Sequence, residues 1–216
     1  MDKINPLISY FMNQGVPLTT VVLLLMFPII ATMIAFLRQV VGIKAFGIYT
    51  PSIIIFAFFA TGIKYGIVLF ASVILVGMIV KLLLKKFRIL YLPRVAITLS
   101  IVALAMLLML VIGGSLQRTG LAAVSIFPLL IMITLVEKFI ATQIEKGNKT
   151  AFYLALETLI ISVIGYYLLK WGILIKTIVA YPWVILLTIP VNIMLGKWTG
   201  LRISEYFRFK EVFKKI

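Results

Sequence analysis

Seven long apolar runs decide what this chain can become. They are Pro17 to Leu37, Ala45 to Ile63, Tyr65 to Leu84, Val95 to Gly113, Thr119 to Val136, Ala151 to Leu169 and Thr177 to Leu195, and Lys81 and Glu157 are the only charges inside them. Each is long enough for a helix to cross about 30 Å of hydrocarbon, which takes about 20 residues. The expected fold is an all-α integral membrane protein, a seven-transmembrane helix bundle over residues 17–195. A short segment, 1–16, precedes it and a basic tail, 196–216, follows. Extramembrane connections are short, and the longest internal one is expected from about Glu137 to Thr150, too small for a folded domain.

The composition matters next for what it excludes. The chain has no His and no Cys, and Asp2 is its one Asp. Thiolate and imidazole metal sites, disulfides, cysteine nucleophiles and histidine-dependent acid–base chemistry are therefore ruled out. Rhomboid-like, His-Glu-x-x-His and clustered-Asp intramembrane enzymes lack their residues here, so the chain is read as a non-enzyme without cofactor or metal.

The 21 Lys and Arg against six acids give a net charge of +15. In a membrane chain such an excess gathers at cytoplasmic helix ends and meets anionic lipid head groups, so no nucleic-acid partner is inferred. With seven crossings, Lys3, Lys64, Arg118, Lys170 and Lys176 fall on one side and the other 16 basic residues on the opposite side. That places the N terminus outside and the C terminus in the cytoplasm, as expected for a multi-pass protein of the bacterial inner membrane. If Ala45 to Ile63, which contains Gly47 and Pro51, only dipped into the bilayer, the division would be 15 to six with the N terminus inside. Charge counting alone does not choose between the two schemes.

Both ends carry amphipathic patterns. Leu7, Ile8, Phe11 and Met12 recur at helical spacing and suit a short helix on the outer surface. In the tail, Tyr206, Phe209, Phe213 and Ile216 form a stripe among Arg202, Arg208, Lys210, Lys214 and Lys215, a pattern suited to the inner leaflet. No cleavable signal peptide is expected in Met1 to Gln14, which lacks a basic start leading into an apolar core.

Several polar stretches punctuate the spans. They are Val41-Gly-Ile-Lys-Ala-Phe-Gly47 leading to Pro51, Leu92-Pro-Arg-Val-Ala96, Phe127-Pro128 leading to Glu137-Lys138-Phe139, and Gly196 to Glu205 followed by Tyr206-Phe-Arg-Phe209. In this order and spacing the chain resembles the bacterial seven-transmembrane domain usually fused to an inactive transglutaminase-like domain. The resemblance runs from about Pro17 to Phe209. It implies seven helices with the N terminus outside, which favours the first charge division. It also implies a non-catalytic membrane module whose relatives accompany ATP-grasp peptide ligases and aspartyl-protease-like proteins. Only 16 residues precede the first span, so the membrane domain is expected alone, with any transglutaminase-like part supplied by a separate chain.

This topology places the polar stretches at the cytoplasmic surface. Arg38, Lys44, Arg94, Lys138, Lys197 and Arg202 would ring that end of the bundle, with Glu137, Glu157 and Glu205 as the nearby acids. The functional expectation is a basic docking face for an anionic ligand, lipid head group or acidic partner; the simpler one is that these residues fix orientation and snorkel to the interface. Glu157 is expected about 9–10 Å along its helix, at 1.5 Å per residue. It is expected either to pair functionally with Arg94, Arg38 or Lys197 across the bundle or to serve as a structural ion pair or a protonated, hydrogen-bonded acid. Pro28, Pro51, Pro128, Pro182 and Pro190 would bend the helices, and Asn192 is placed to satisfy a carbonyl freed near Pro190. The favoured function is a membrane scaffold or receptor-like module acting through its cytoplasmic face. The alternative is a transporter of small solutes or lipid built on the kinked helices and Glu157, although no clear internal repeat supports it. Oligomeric state is not encoded in any of these patterns.

Overall fold

The structure is a computed structural model that describes residues 5–84, 86–87, 89–115, 126–198 and 200. Among the described residues every regular element is helical. Val- and Ile-rich runs would suit strands in water, but in hydrocarbon each backbone group must be paired, and a helix pairs them within one segment. The helices are α1 (Pro6–Asn13), α2 (Leu18–Phe36), α3 (Tyr49–Thr61), α4 (Ile63–Leu84), α5 (Tyr91–Ser115), α6 (Ile126–Lys146), α7 (Asn148–Leu169), α8 (Gly172–Ala180) and α9 (Thr188–Gly196). A π-helical turn, Leu37–Val41, extends α2, and a 3-10 turn, Pro182–Leu187, leads into α9.

Five of these segments are long and apolar enough to cross a membrane: Leu18–Val41, Ile63–Leu84, Tyr91–Ile112, Ile126–Lys146 and Asn148–Leu169. The remaining two expected spans have a different form. In place of Ala45 to Ile63, α3 has 13 residues. At 1.5 Å per residue that is about 20 Å, short of a full hydrocarbon crossing. In place of Thr177 to Leu195, α8 and the segment Pro182–Gly196 meet at a 105° bend. Tyr181 separates them with φ −133 and ψ 73, and Pro182 has no N–H with which to continue the helical ladder. Among the described residues there are thus five or six candidate spans by length, the sixth being the bent pair.

Charge proves a poor marker of helix ends. The span expected to stop at Val136 continues ten residues further, to Lys146. Glu137 and Lys138 are exposed, while Met132, Leu135, Val136, Phe139, Ile140 and Gln143 form one buried stripe. That stripe keeps helical periodicity through the charged pair and so carries the helix past it. The connection expected from Glu137 to Thr150 shrinks to Gly147, whose φ of +85 turns the chain between α6 and α7.

The chain groups into two compact units, residues 45–166 and residues 1–44 with 167–216. In the first, α3 and α4 form a hairpin around Gly62, with φ +78. Phe58 lies against Gly66, close enough that a Cβ at that glycine would meet the ring at 2.5 Å. Gly77 of α4 lies beside Val136 and Phe139 of α6. Phe58, Leu69, Phe70, Val73, Val102, Met132, Val136 and Phe139 fill the core, and Ala151, Ala155 and Tyr166 of α7 join it.

In the second unit α2 packs against α1, α8 and α9. Met26, Ile30, Ile34, Ile8 and Ile178 are buried. Asn5 anchors the N-terminal helix: its Oδ1 accepts from Leu7 N–H (3.0 Å), and its Nδ2 donates to the Ala180 carbonyl (3.2 Å). The short helix expected from Leu7, Ile8, Phe11 and Met12 is therefore present, with Ile8 inward and the other three exposed. Asn192 donates to the Thr188 carbonyl (2.7 Å), and its second bond, to Thr32 Oγ1 (2.7 Å), ties α9 to α2.

Candidate functional site

The most elaborate polar architecture in residues 45–166 surrounds the start of the interrupted second span. Helix α2 ends through its π-helical turn at Gly42, whose φ is +93 and whose N–H returns to the Leu37 carbonyl (3.0 Å). Residues 42–48 then run without regular helix. Ala45 holds φ +24, rare for a residue with a Cβ, and Gly47, at φ +78, donates to the Ala45 carbonyl (2.8 Å). A turn of this kind strips amides of their helical acceptors, and in an apolar setting each must find another.

Helix α7 supplies two of those acceptors. Glu157 Oε2 accepts from Ala45 N–H (3.2 Å), and the adjacent Thr158 Oγ1 accepts from Phe46 N–H (3.0 Å). Thr158 is fully buried, and its hydroxyl proton goes to the Leu154 carbonyl (2.7 Å), which leaves the oxygen's lone pairs toward Phe46. Because α7 begins at Asn148, Glu157 sits about 14 Å along a helix of 22 residues at 1.5 Å per residue. That is deeper than the expected 9–10 Å and near the helix midpoint. Its carboxylate therefore caps one amide of an interrupted backbone. Arg94, one of the three cations expected near it, donates from Nη2 to the Ile89 carbonyl (3.0 Å).

A groove of about 360 Å³ opens alongside, between α3 and α6, where Glu137 and Lys138 stand with Tyr49 and Thr50. At the C-terminal end of α4, Lys81 Nζ donates to Asn148 Oδ1 (2.6 Å) and to the Gln143 carbonyl (3.3 Å). Lys81 thus joins α4 to the ends of α6 and α7, a use its place in an apolar run did not disclose. Among the described residues, Arg94 Nε and both polar atoms of the Gln143 amide are buried without a hydrogen-bond partner. Of the expected cytoplasmic set, Arg38 lies in the π-helical turn, Lys44 in the irregular segment, Arg94 in the first turn of α5, and Lys197 just after α9. Glu137 and Glu157 fall on α6 and α7, whereas Arg202 and Glu205 lie outside the described residues, as does the tail stripe from Tyr206 to Ile216.

The family match spans residues 11–213, and the family is described as seven transmembrane helices usually fused to an inactive transglutaminase. The chain belongs to this family. The match falls on its membrane domain alone. No curated protein and no solved structure matches the chain. The family's seven helices and the five or six candidate spans together make the chain a multi-pass membrane protein. The transglutaminase usually fused to this seven-transmembrane domain is inactive, so the family's description assigns it no chemistry. Among the described residues no three His, Cys, Asp or Glu side chains cluster in a way that could hold a metal ion.

Sequence reasoning missed Thr158, and a usable signal existed. Ser52, Thr98, Thr158 and Ser162 are all buried, and each hydroxyl donates to the carbonyl four residues earlier. Ser and Thr inside apolar helices commonly form this back-bond, so alone it marks nothing. A threonine directly after the only carboxylate of the same span was the distinguishing pattern.

Proposed function

We propose that this seven-transmembrane domain is a non-catalytic scaffold or receptor-like module of the bacterial inner membrane, acting through a basic cytoplasmic face. The family match over residues 11–213 is the observation that carries this reading. The face comprises Arg38, Lys44, Arg94, Glu137, Lys138, Lys197, Arg202 and Glu205, with Glu157 set deeper as a cap on the chain that leads into α3. Its partners are anionic lipid head groups and an ATP-grasp ligase or a separate transglutaminase-like protein. The topology has seven helices with the N terminus outside, α1 resting on the outer surface and the 196–216 tail on the inner leaflet.

Crosslinking in cells, followed by identification of the captured proteins, tests the partner assignment. Recovery of a peptide ligase or a transglutaminase-like chain is the expected outcome, and capture of lipid and self alone would remove it. The cysteine-free sequence makes topology directly measurable. Ser9→Cys should react with an impermeant thiol reagent in intact cells, and Lys146→Cys only after lysis. The reverse pattern would overturn the orientation.

A second reading is transport. Two specific features favour it, the irregular segment 42–48 and the 105° bend between α8 and Pro182–Gly196, because discontinuous helices commonly build substrate sites in transporters. Substrate uptake by proteoliposomes that is lost on substitution of Glu157 would favour transport over the scaffold.

A further inference from the structure

The groove between α3 and α6 has an ordered polarity. Helices α4 and α6 run in the same direction, since Gly77 lies by Val136 and Phe139, and Lys81 by Gln143. The hairpin at Gly62 makes α3 antiparallel to α4 and hence to α6. Tyr49 and Thr50, which open α3, therefore share one end of the groove with Glu137 and Lys138 of α6. Towards the other end lie Ile53, Ile54, Leu130 and Ile131. Ile54 and Leu135 are each 1% exposed and form its floor, while Tyr49 at 71% forms an open rim.

The polar end carries both signs of charge. Glu137 and Lys138 are exposed, and no hydrogen bond or ion pair joins either head group to another described residue. Successive residues on a helix diverge by about 100°, so the carboxylate and ammonium flank the groove and do not neutralise each other. Charges beside the apolar part of a spanning helix are costly unless something pairs them. A simple anion would satisfy Lys138 but be repelled by Glu137. A zwitterion whose phosphate and ammonium are held a short link apart satisfies both, and the apolar floor accepts a hydrocarbon chain attached on the phosphate side. A groove of about 360 Å³ is within the usual range for ligand sites, about 300–1,000 Å³.

We propose that this groove binds an amine-bearing zwitterionic phospholipid of the phosphoethanolamine class. Lys138 holds the phosphate, Glu137 the ammonium, and the first methylenes of one acyl chain lie over Ile54 and Leu135. A lipid ammonium with N–H donors gives Glu137 a charge-assisted hydrogen bond that a trimethylammonium group cannot give. The inference rests on the chain being a membrane protein and is independent of its proposed protein partners.

The test uses the full chain in phosphatidylcholine nanodiscs with a phosphatidylethanolamine probe carrying a diazirine near the glycerol end of one acyl chain. Saturable labelling should map to peptides covering residues 49–54 and 130–138. Unlabelled phosphatidylethanolamine should compete about tenfold better than phosphatidylglycerol or phosphatidylcholine, the scale of one charge-assisted hydrogen bond. Glu137→Gln should abolish the preference over phosphatidylglycerol, and Lys138→Gln should weaken both competitors. Both side chains are exposed, so neither substitution disturbs the core, and unchanged melting of each variant checks this. Ile53→Trp, which fills the groove, should eliminate the saturable labelling. Labelling spread evenly over the lipid-facing helices, or an unchanged head-group preference in Glu137→Gln, overturns the proposal.

Discussion

Replacing Thr158 with Val tests whether α7 holds the interrupted backbone in place. The substitution keeps the side chain's shape and removes its oxygen. Two hydrogen bonds go with it: the one accepted from Phe46 N–H at 3.0 Å and the one donated to Leu154 at 2.7 Å. The second loss costs little, because the Leu154 carbonyl keeps its helical partner. The first leaves a backbone donor stranded beside a fully buried position, which costs about 1–3 kcal/mol. That cost should lower the local opening free energy of the turn and speed exchange at Phe46 by a factor of about 5–150. Hydrogen–deuterium exchange of a peptide covering residues 42–50 reads this directly. Thr158→Ser retains the hydroxyl and should stay near the native rate. Glu157→Leu should release the Ala45 amide instead, and the double variant should release both. Protection in Thr158→Val equal to that of the native chain would falsify the clamp, whatever the global stability did.

Gly66→Ala places a Cβ 2.5 Å from Phe58 Cδ1 and should cost about 1–3 kcal/mol of detergent-monitored stability. Combined with Phe58→Leu the penalty should be less than additive, and strict additivity would show that the clash is not the cause. Gln143→Leu removes two buried amide atoms that have no partner among the described residues and should be neutral or stabilising by up to about 1–3 kcal/mol in the same assay; a clear loss of stability would mean that the amide is satisfied in the membrane. Thr32→Val severs the Asn192 bond between α2 and α9 and should cost about 0.6 kcal/mol, at most about 1.7, so a larger loss would mark Thr32 as more than a linking residue.

The sequence disclosed the apolar segments because hydrocarbon imposes one demand on all of them, and runs near 20 residues without charge meet it visibly. All seven recur as apolar helices or helix pairs, with part of the fifth run outside the described residues. It disclosed their ends poorly for a separable reason. Charge is a local property, while helix continuation depends on which face is buried. Glu137 and Lys138 interrupt the composition of α6 but not its inward stripe, so the helix passes through them to Lys146. The second run failed in the opposite direction. Ala45 to Ile48 is as apolar as its neighbours, but Gly42, Ala45 and Gly47 all hold positive φ, and the helix starts only at Tyr49. Gly47 and Pro51 had flagged this segment as irregular, and residue types alone did not say which amides it would strand.

Glu157 shows why an acid inside a span can be noticed in a sequence that does not display all of its partners. Its rarity pointed to a polar counterpart, and cations are the counterparts that a sequence displays. The backbone is a donor that a sequence hides, because every residue except proline carries an N–H and only the fold exposes one. Once α3 begins at Tyr49 and not at Ala45, the amides of Ala45 and Phe46 lie outside any helix. A carboxylate and a hydroxyl at adjacent positions of one neighbouring helix satisfy amides at adjacent positions of the turn. This register makes Glu157 and Thr158 a unit. The consequence for function is specific: substitutions at Glu157 change the shape of the chain entering α3 and the mouth of the α3/α6 groove. A loss of binding in such variants is therefore attributable to Glu157 itself only if Thr158→Val, which loosens the same turn and leaves the carboxylate in place, retains the binding.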